Sequence, residues 1–199
     1  MKKISLFIIT VLFCFLNISA QEKIKLKFKK DGKFRIAQFT DIHWIDGSPN
    51  CAKTIATIKY VLETEKPDLA VLTGDVAWKL PSRQPWRDIS GIFEEAKIPF
   101  AVALGNHDGE GSTQITRAEI FDLLSQSPYF VGEKGPDNIY GCGNYVIPVW
   151  GKKSKASALL YCFDSNRDSK NPKFGGYDHI RFDQIEWYRK QSESHARAN

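Results

Sequence analysis

Three apolar runs, at residues 34–40, 69–73 and 99–104, recur about 30 residues apart, and each runs directly into a polar block. The blocks are Asp41-x-His43, Gly74-Asp75 and Gly105-Asn106-His107-Asp108. Helical patterns near 51–65 and 86–97 separate the runs, with Pro67 and Pro99 marking the helix ends. Strands alternating with helices predict an α/β layered fold. In such folds a site forms at the ends of the strands, which is where these side chains fall.

The remaining pattern extends this fold. Residues 23–29 alternate lysine with Ile24, Leu26 and Phe28, the period-two signature of a half-buried strand. Asp31-Gly32 is a hairpin signal that leads into the run from Phe34 to Thr40. A helix is predicted near 115–126, strands at 144–150 and 158–163, and a last helix over Phe182–Gln191.

The N-terminus carries Lys2 and Lys3, an apolar run from Ile4 to Ile18, and Ser19-Ala20 before Gln21. This is the pattern of a signal peptide cleaved after Ala20, too short for the roughly 20 residues of a spanning helix. Residues 21–199 are then one exported domain, periplasmic or extracellular, with no stable membrane anchor. Cleavage lowers the formal charge from +5 to +3, because Lys2 and Lys3 are lost and no acid is. That is too small an excess to argue for nucleic acid. Cys51, Cys142 and Cys162 remain, an odd number that argues against a disulfide scaffold.

Asp41 and His43 lie two apart, so an extended strand end would project both to one side, where they can share an ion. Asp75 can bridge two ions with its two oxygens, and Gly74 lets other groups approach the backbone closely. Asn106 offers a neutral amide oxygen, His107 can act as an acid or phosphate contact, and Asp108 can orient that imidazole. Each block alone is weak, since an Asp at a strand end is often a helix cap. All three in order, each after an apolar run, point to a metal-dependent hydrolase.

These blocks resemble those of the calcineurin-like metallophosphoesterases. The resemblance runs from Phe34 to Tyr188, takes in Glu65-Lys66-Pro67-Asp68 and Gln184-x-x-Trp187-Tyr188, and lies nearest the short purple-acid-phosphatase-like branch. It implies a four-layer αββα sandwich and a dinuclear metal centre. In it Asp41 and His43 bind the first ion, Asp75 bridges, Asn106 binds the second, and His107 protonates the leaving group or steadies the transition state. The implied activity is hydrolysis of phosphomonoesters on a phosphorylated small molecule or protein.

Two departures matter. Purple acid phosphatases have a tyrosine ligand three residues after the bridging Asp, where this chain has Trp78, so the metals stay open among Fe, Mn and Zn. The family also supplies three further histidine ligands downstream, in motifs this sequence does not contain. Only His179 and His195 follow His107, and neither sits in such a motif. The sequence therefore reads as the N-terminal part of a longer phosphoesterase, with weak or no activity on its own. A phosphodiesterase or nuclease of the same fold and a non-catalytic remnant are the alternatives. Trp44 is either a pocket wall or core, while Arg117 and Asn144 are expected on a solvated helix face and a strand-start turn rather than against substrate.

Overall fold

The computed structural model describes residues 24–78, 83–109, 115–152, 155–173 and 175–198. The signal-peptide segment lies outside the described residues. The elements are β1 (Ile36–Phe39), α1 (Asn50–Glu65), β2 (Leu69–Thr73), α2 (Arg83–Ala96), β3 (Phe100–Ala103), α3 (Arg117–Leu124), β4 (Tyr145–Trp150), β5 (Ala156–Cys162) and α4 (Phe182–Ala198), with a 3-10 turn at His107–Gly109.

β1, β2 and β3 form a parallel sheet in that order, with Ala37 opposite Ala70 and Val71 opposite Ala101. Parallel neighbours need a crossover, and α1 and α2 supply the two. Right-handed crossovers stepping in one direction put both helices on the same face. There α2 buries Trp86, Ile89 and Phe93, and the Phe93 ring stacks on Phe100 with centroids 4.9 Å apart. α1 stops at Lys66, whose left-handed backbone (φ 46°) lets its N–H reach the Leu62 carbonyl. Asp68 follows and ties the start of β2 to β1, accepting from the Arg35 N–H at 2.8 Å. The Glu65-Lys66-Pro67-Asp68 motif is thus a helix stop and a strand clamp.

β4 and β5 form a separate antiparallel pair whose buried residues Tyr145, Ile147 and Cys162 share one core with the first sheet. On the far side of β5, Tyr161 meets Tyr188 and Phe163 meets Trp187, both edge-on, so α4 covers this pair. The layers run helix, sheet, sheet, helix, as expected. α4 continues to Ala198, seven residues beyond the expected end at Gln191.

The N-terminal hairpin is corrected. The turn at Asp31-Gly32 is present, with Gly32 N–H donating to Lys29 O and Gly32 at φ +78°. Its arms, however, join different sheets. Phe28 and Leu26 bond to Trp150 of β4, whereas β1 pairs with β2. The alternation survives, with Leu26 buried and Lys25 and Lys27 exposed. Cys51, Cys142 and Cys162 are free thiols, and burial pushes Cys142 up to about 11.

The free edge of β3 shows how its backbone groups are satisfied. Phe100 exchanges bonds with Tyr129 and Val131. One step on, the Tyr145 hydroxyl both accepts from Val102 N–H at 3.0 Å and donates to Val102 O at 2.7 Å. A buried side chain thus does what an added strand would do. Tyr145→Phe leaves both Val102 groups unsatisfied, and we expect a loss of about 2 kcal/mol in urea unfolding, with the native circular dichroism kept.

Candidate metal centre

The loops that follow β1, β2 and β3 meet at one end of the parallel sheet. After Phe39 the chain does not continue as an extended strand. Asp41 and His43 both adopt left-handed backbone, at φ 52° and 48°, and Asp75 does so at 52°. Such conformations cost on the order of 1 kcal/mol or more each outside glycine and must be held by their surroundings. Here the first loop is zipped along the second, through Asp41 N–H to Gly74 O, His43 N–H to Asp75 O and Trp44 N–H to Val76 O. Asp41 and His43 therefore converge through these bends, not through strand alternation.

Loops two and three touch at their glycines. A Cβ on Gly74 would stand 3.0 Å from the Gly105 Cα, and one on Gly105 would fall on the Asp75 carboxylate. This close approach brings the His107 N–H to 3.0 Å from Asp75 Oδ1. The other oxygen, Oδ2, lies 3.7 Å from His43 Nε2, which is also 4.0 Å from Asp41 Oδ1. His43 Nε2 is buried and has no hydrogen-bond partner. A buried imidazole nitrogen facing two carboxylates just beyond hydrogen-bond reach is what an ion between them would explain.

The His107 imidazole joins this group, since donor atoms of His43, Asp75 and His107 lie within 4.8 Å of one another. The two rings meet edge to face, with centroids 5.4 Å apart. The Trp78 ring, at the position where the expected tyrosine ligand is absent, lies 5.1 Å from His43 and 5.9 Å from His107. Asn106 lines a cavity of about 240 Å³ together with Asp41 and Asp75. The structure thus gathers Asp41, His43, Asp75, Asn106 and His107 at one place, and the donor set of two carboxylates, two imidazoles and an amide suits a hard or borderline cation.

Asp108 takes a different place from the one expected. Fully buried, it accepts from the Val76 and Ala77 amides at 2.8 and 3.0 Å through Oδ1, and from the Gly105 amide at 2.8 Å through Oδ2. The carboxyl expected to orient the His107 imidazole is instead committed to three backbone amides. Burial raises its pKa, against the lowering pull of the Ala77 and Gly105 amides and of Arg117.

Arg117 is neither solvated nor turned to a ligand. It forms a two-pronged ion pair with Asp164, at 2.6 and 3.2 Å, and donates to Gly105 O at 2.8 Å. A capping box between Thr116 and Glu119 starts α3 and so fixes where Arg117 emerges. Asn144 is buried in the same scaffold, its Oδ1 accepting from Asp164 N–H and from the Gln184 amide. Gln184 and Trp187 of the last sequence motif thus serve packing, and Trp44, 4% exposed, is core. His179 sits 3.2 Å from Asp178 and is largely exposed, while His195 lines a separate cavity of about 700 Å³ bounded by Ser127, Tyr145 and Trp187. That larger cavity holds none of the clustered donors, so donor chemistry and not volume marks the site.

Sequence reading missed Asp164, Arg167 and Asp178, the last two of which line the cavity beside Asp75. One signal was available for the first. Asp164 directly follows the apolar run of β5, as Asp41 and Asp75 follow theirs.

Residues 34–197 match the family described as Calcineurin-like phosphoesterase. The chain belongs to this family. An Arabidopsis thaliana relative named "Probable inactive purple acid phosphatase 29" is 30% identical over 198 aligned positions, covering 86% of this chain and 50% of that protein. A Saccharomyces cerevisiae relative named "Phosphatase DCR2" is 31% identical, covering 79% of this chain and 31% of that protein. The chain spans half or less of the length of these curated relatives. Among the described residues no helix is long and apolar enough to cross a membrane.

Asp108→Asn puts an amide N–H₂ against at least one backbone N–H. We expect a loss of roughly 2–3 kcal/mol in denaturant unfolding, more than any exposed Asp→Asn change gives. A loss below about 0.5 kcal/mol would show that the three amides are satisfied in another way.

Proposed function

We propose that this chain is a metal-dependent phosphoesterase that hydrolyses phosphomonoesters at a dinuclear centre. The observation that carries the reading is the buried, unpartnered His43 Nε2 facing Asp75 and Asp41. Asp41 and His43 would hold the first ion, Asp75 would serve both, and Asn106 would serve the second. Fe, Mn and Zn all suit these donors. When bound, the pair of ions supplies an activated hydroxide and neutralises charge on the phosphoryl group.

The protein's own residues then position and protonate. Asp75 is fixed by the His107 amide on one oxygen, so its other oxygen keeps one direction. Thr40 Oγ1 donates to Asp41 Oδ2 at 2.7 Å and leaves Oδ1 toward His43. The His107 imidazole, at the cluster's edge, gives its proton to the departing alkoxide oxygen. For the second ion the described residues that line the cavity offer Asp75 and Asn106. The N-terminal Lys2-Lys3 and apolar run support export, so the reaction belongs to the periplasm or the extracellular space.

A second reading, a non-catalytic binding remnant, is favoured by the word "inactive" in the names of several relatives. Metal analysis of purified protein separates the two, because a remnant is essentially metal-free. On metal-loaded protein, comparison of 4-nitrophenyl phosphate with its bis-ester checks the preference for monoesters, and a faster diester rate would replace our reading with a phosphodiesterase.

His107→Ala separates acid from ligand. We expect metal content to hold while turnover of an alkyl phosphate, whose leaving group needs a proton, falls by about 100-fold. A parallel loss of metal would make His107 a ligand instead.

A further inference from the structure

Beyond β5 the chain makes a hairpin-shaped excursion whose base lies against the site. Ser169 N–H donates to Gly176 O at 2.8 Å, Asp178 N–H donates to Arg167 O at 2.9 Å, and Asp168 bridges antiparallel to Tyr177. Arg181 clamps the Asp178 carboxylate through both oxygens, at 2.9 and 3.1 Å. Arg167 therefore stands at the fixed base of the excursion, not at its tip.

Its guanidinium reaches the metal-binding loop. One nitrogen donates to the carbonyl of Gly109, two residues past His107, and another lies 3.3 Å from its neighbour Asp168. The side chain is 31% exposed and lines the same cavity as Asp41, Asp75 and Asn106. An arginine carries five N–H donors in a planar fork, and these two bonds leave the rest of the fork for a ligand. Charge gives the reason to expect one. Asp41, Asp75 and Asp178 all line this cavity, and Arg167 is the one cationic side chain among its described lining residues. An anion entering among these carboxylates meets repulsion that the Arg167 charge offsets.

We propose that Arg167 binds non-bridging oxygens of the substrate phosphoryl group in the cavity that it lines with Asp41, Asp75 and Asn106. The assignment rests on the phosphoesterase reading above. The planar fork matches two phosphate oxygens at once, which a lysine ammonium cannot do. Arg167 is thus a substrate-contacting residue contributed by the β5 side of the molecule, whereas the metal ligands come from the parallel sheet.

The test is calorimetric titration of inorganic phosphate into Mn-loaded protein, for the wild type, Arg167→Gln and Arg167→Lys, with metal content and thermal midpoint measured on each. We expect Arg167→Gln to bind phosphate about tenfold or more weakly, Arg167→Lys to fall between, and metal content to stay unchanged in both. Phosphate affinity within twofold of the wild type in Arg167→Gln would overturn the assignment and leave the phosphoesterase reading intact. So would metal-loaded wild type that binds no phosphate. Failure of both variants to fold would make Arg167 a structural tie to Gly109 and would equally overturn it. A wild-type protein that takes up no metal would sink the phosphoesterase reading first, and this inference with it.

Discussion

Everything at the site depends on one buried carboxylate. Asp108 binds the amides of Val76, Ala77 and Gly105, and so staples the loop after β2 to the loop after β3. Burying an ionised carboxylate costs several kcal/mol, and each hydrogen bond to it returns roughly 1.5–3 kcal/mol. Three such bonds bring the balance near even, and Arg117 adds favourable charge. Burial still raises the pKa, so the folded state takes up the Asp108 proton more readily than the unfolded chain does. By itself this group favours folding below the ordinary carboxylate range, and that gain is lost as pH rises through its folded pKa.

A second ionic tie reaches the same loop from the other sheet. Asp164, at the end of β5, holds Arg117, and Arg117 holds the Gly105 carbonyl. Gly105 thus has its N–H fixed by Asp108 and its C=O by Arg117, with Asn106 next in sequence. The pair is well buried, with Asp164 1% exposed, so removing one partner would strand the other's charge at a cost of about 3–5 kcal/mol. The two sheets are joined by apolar packing in the core and by this ionic link at the site.

How much of this was legible in the sequence follows from how local each cause is. β2, α1 and the site blocks were readable because apolar periodicity and proline stops act within a few residues. The partners of the N-terminal arms were not, because the turn at Asp31-Gly32 fixes a reversal without fixing which sheet each arm joins. Period-two reasoning placed Asp41 and His43 on one side, and the structure brings them together by left-handed bends that only the neighbouring loop can hold. Asp108, beside a site motif, was read as chemistry and Arg117 as a solvated helix face; both are scaffold, and only their long-range partners reveal it.

The distribution of backbone strain bears on whether the site is a relic. Of the non-glycine residues with positive φ, three are Asp41, His43 and Asp75; His43 and Asp75 belong to the donor cluster, and Asp41 lies 4.0 Å from His43. A scaffold with no ligand to position could relax such residues and recover on the order of 1 kcal/mol from each. Instead the zipped first loop, the two abutting glycines and the Asp108 staple together hold all three bends. An array of backbone interactions maintains an arrangement in which donor atoms of His43, Asp75 and His107 lie within 4.8 Å of one another, a grouping compatible with a metal ion.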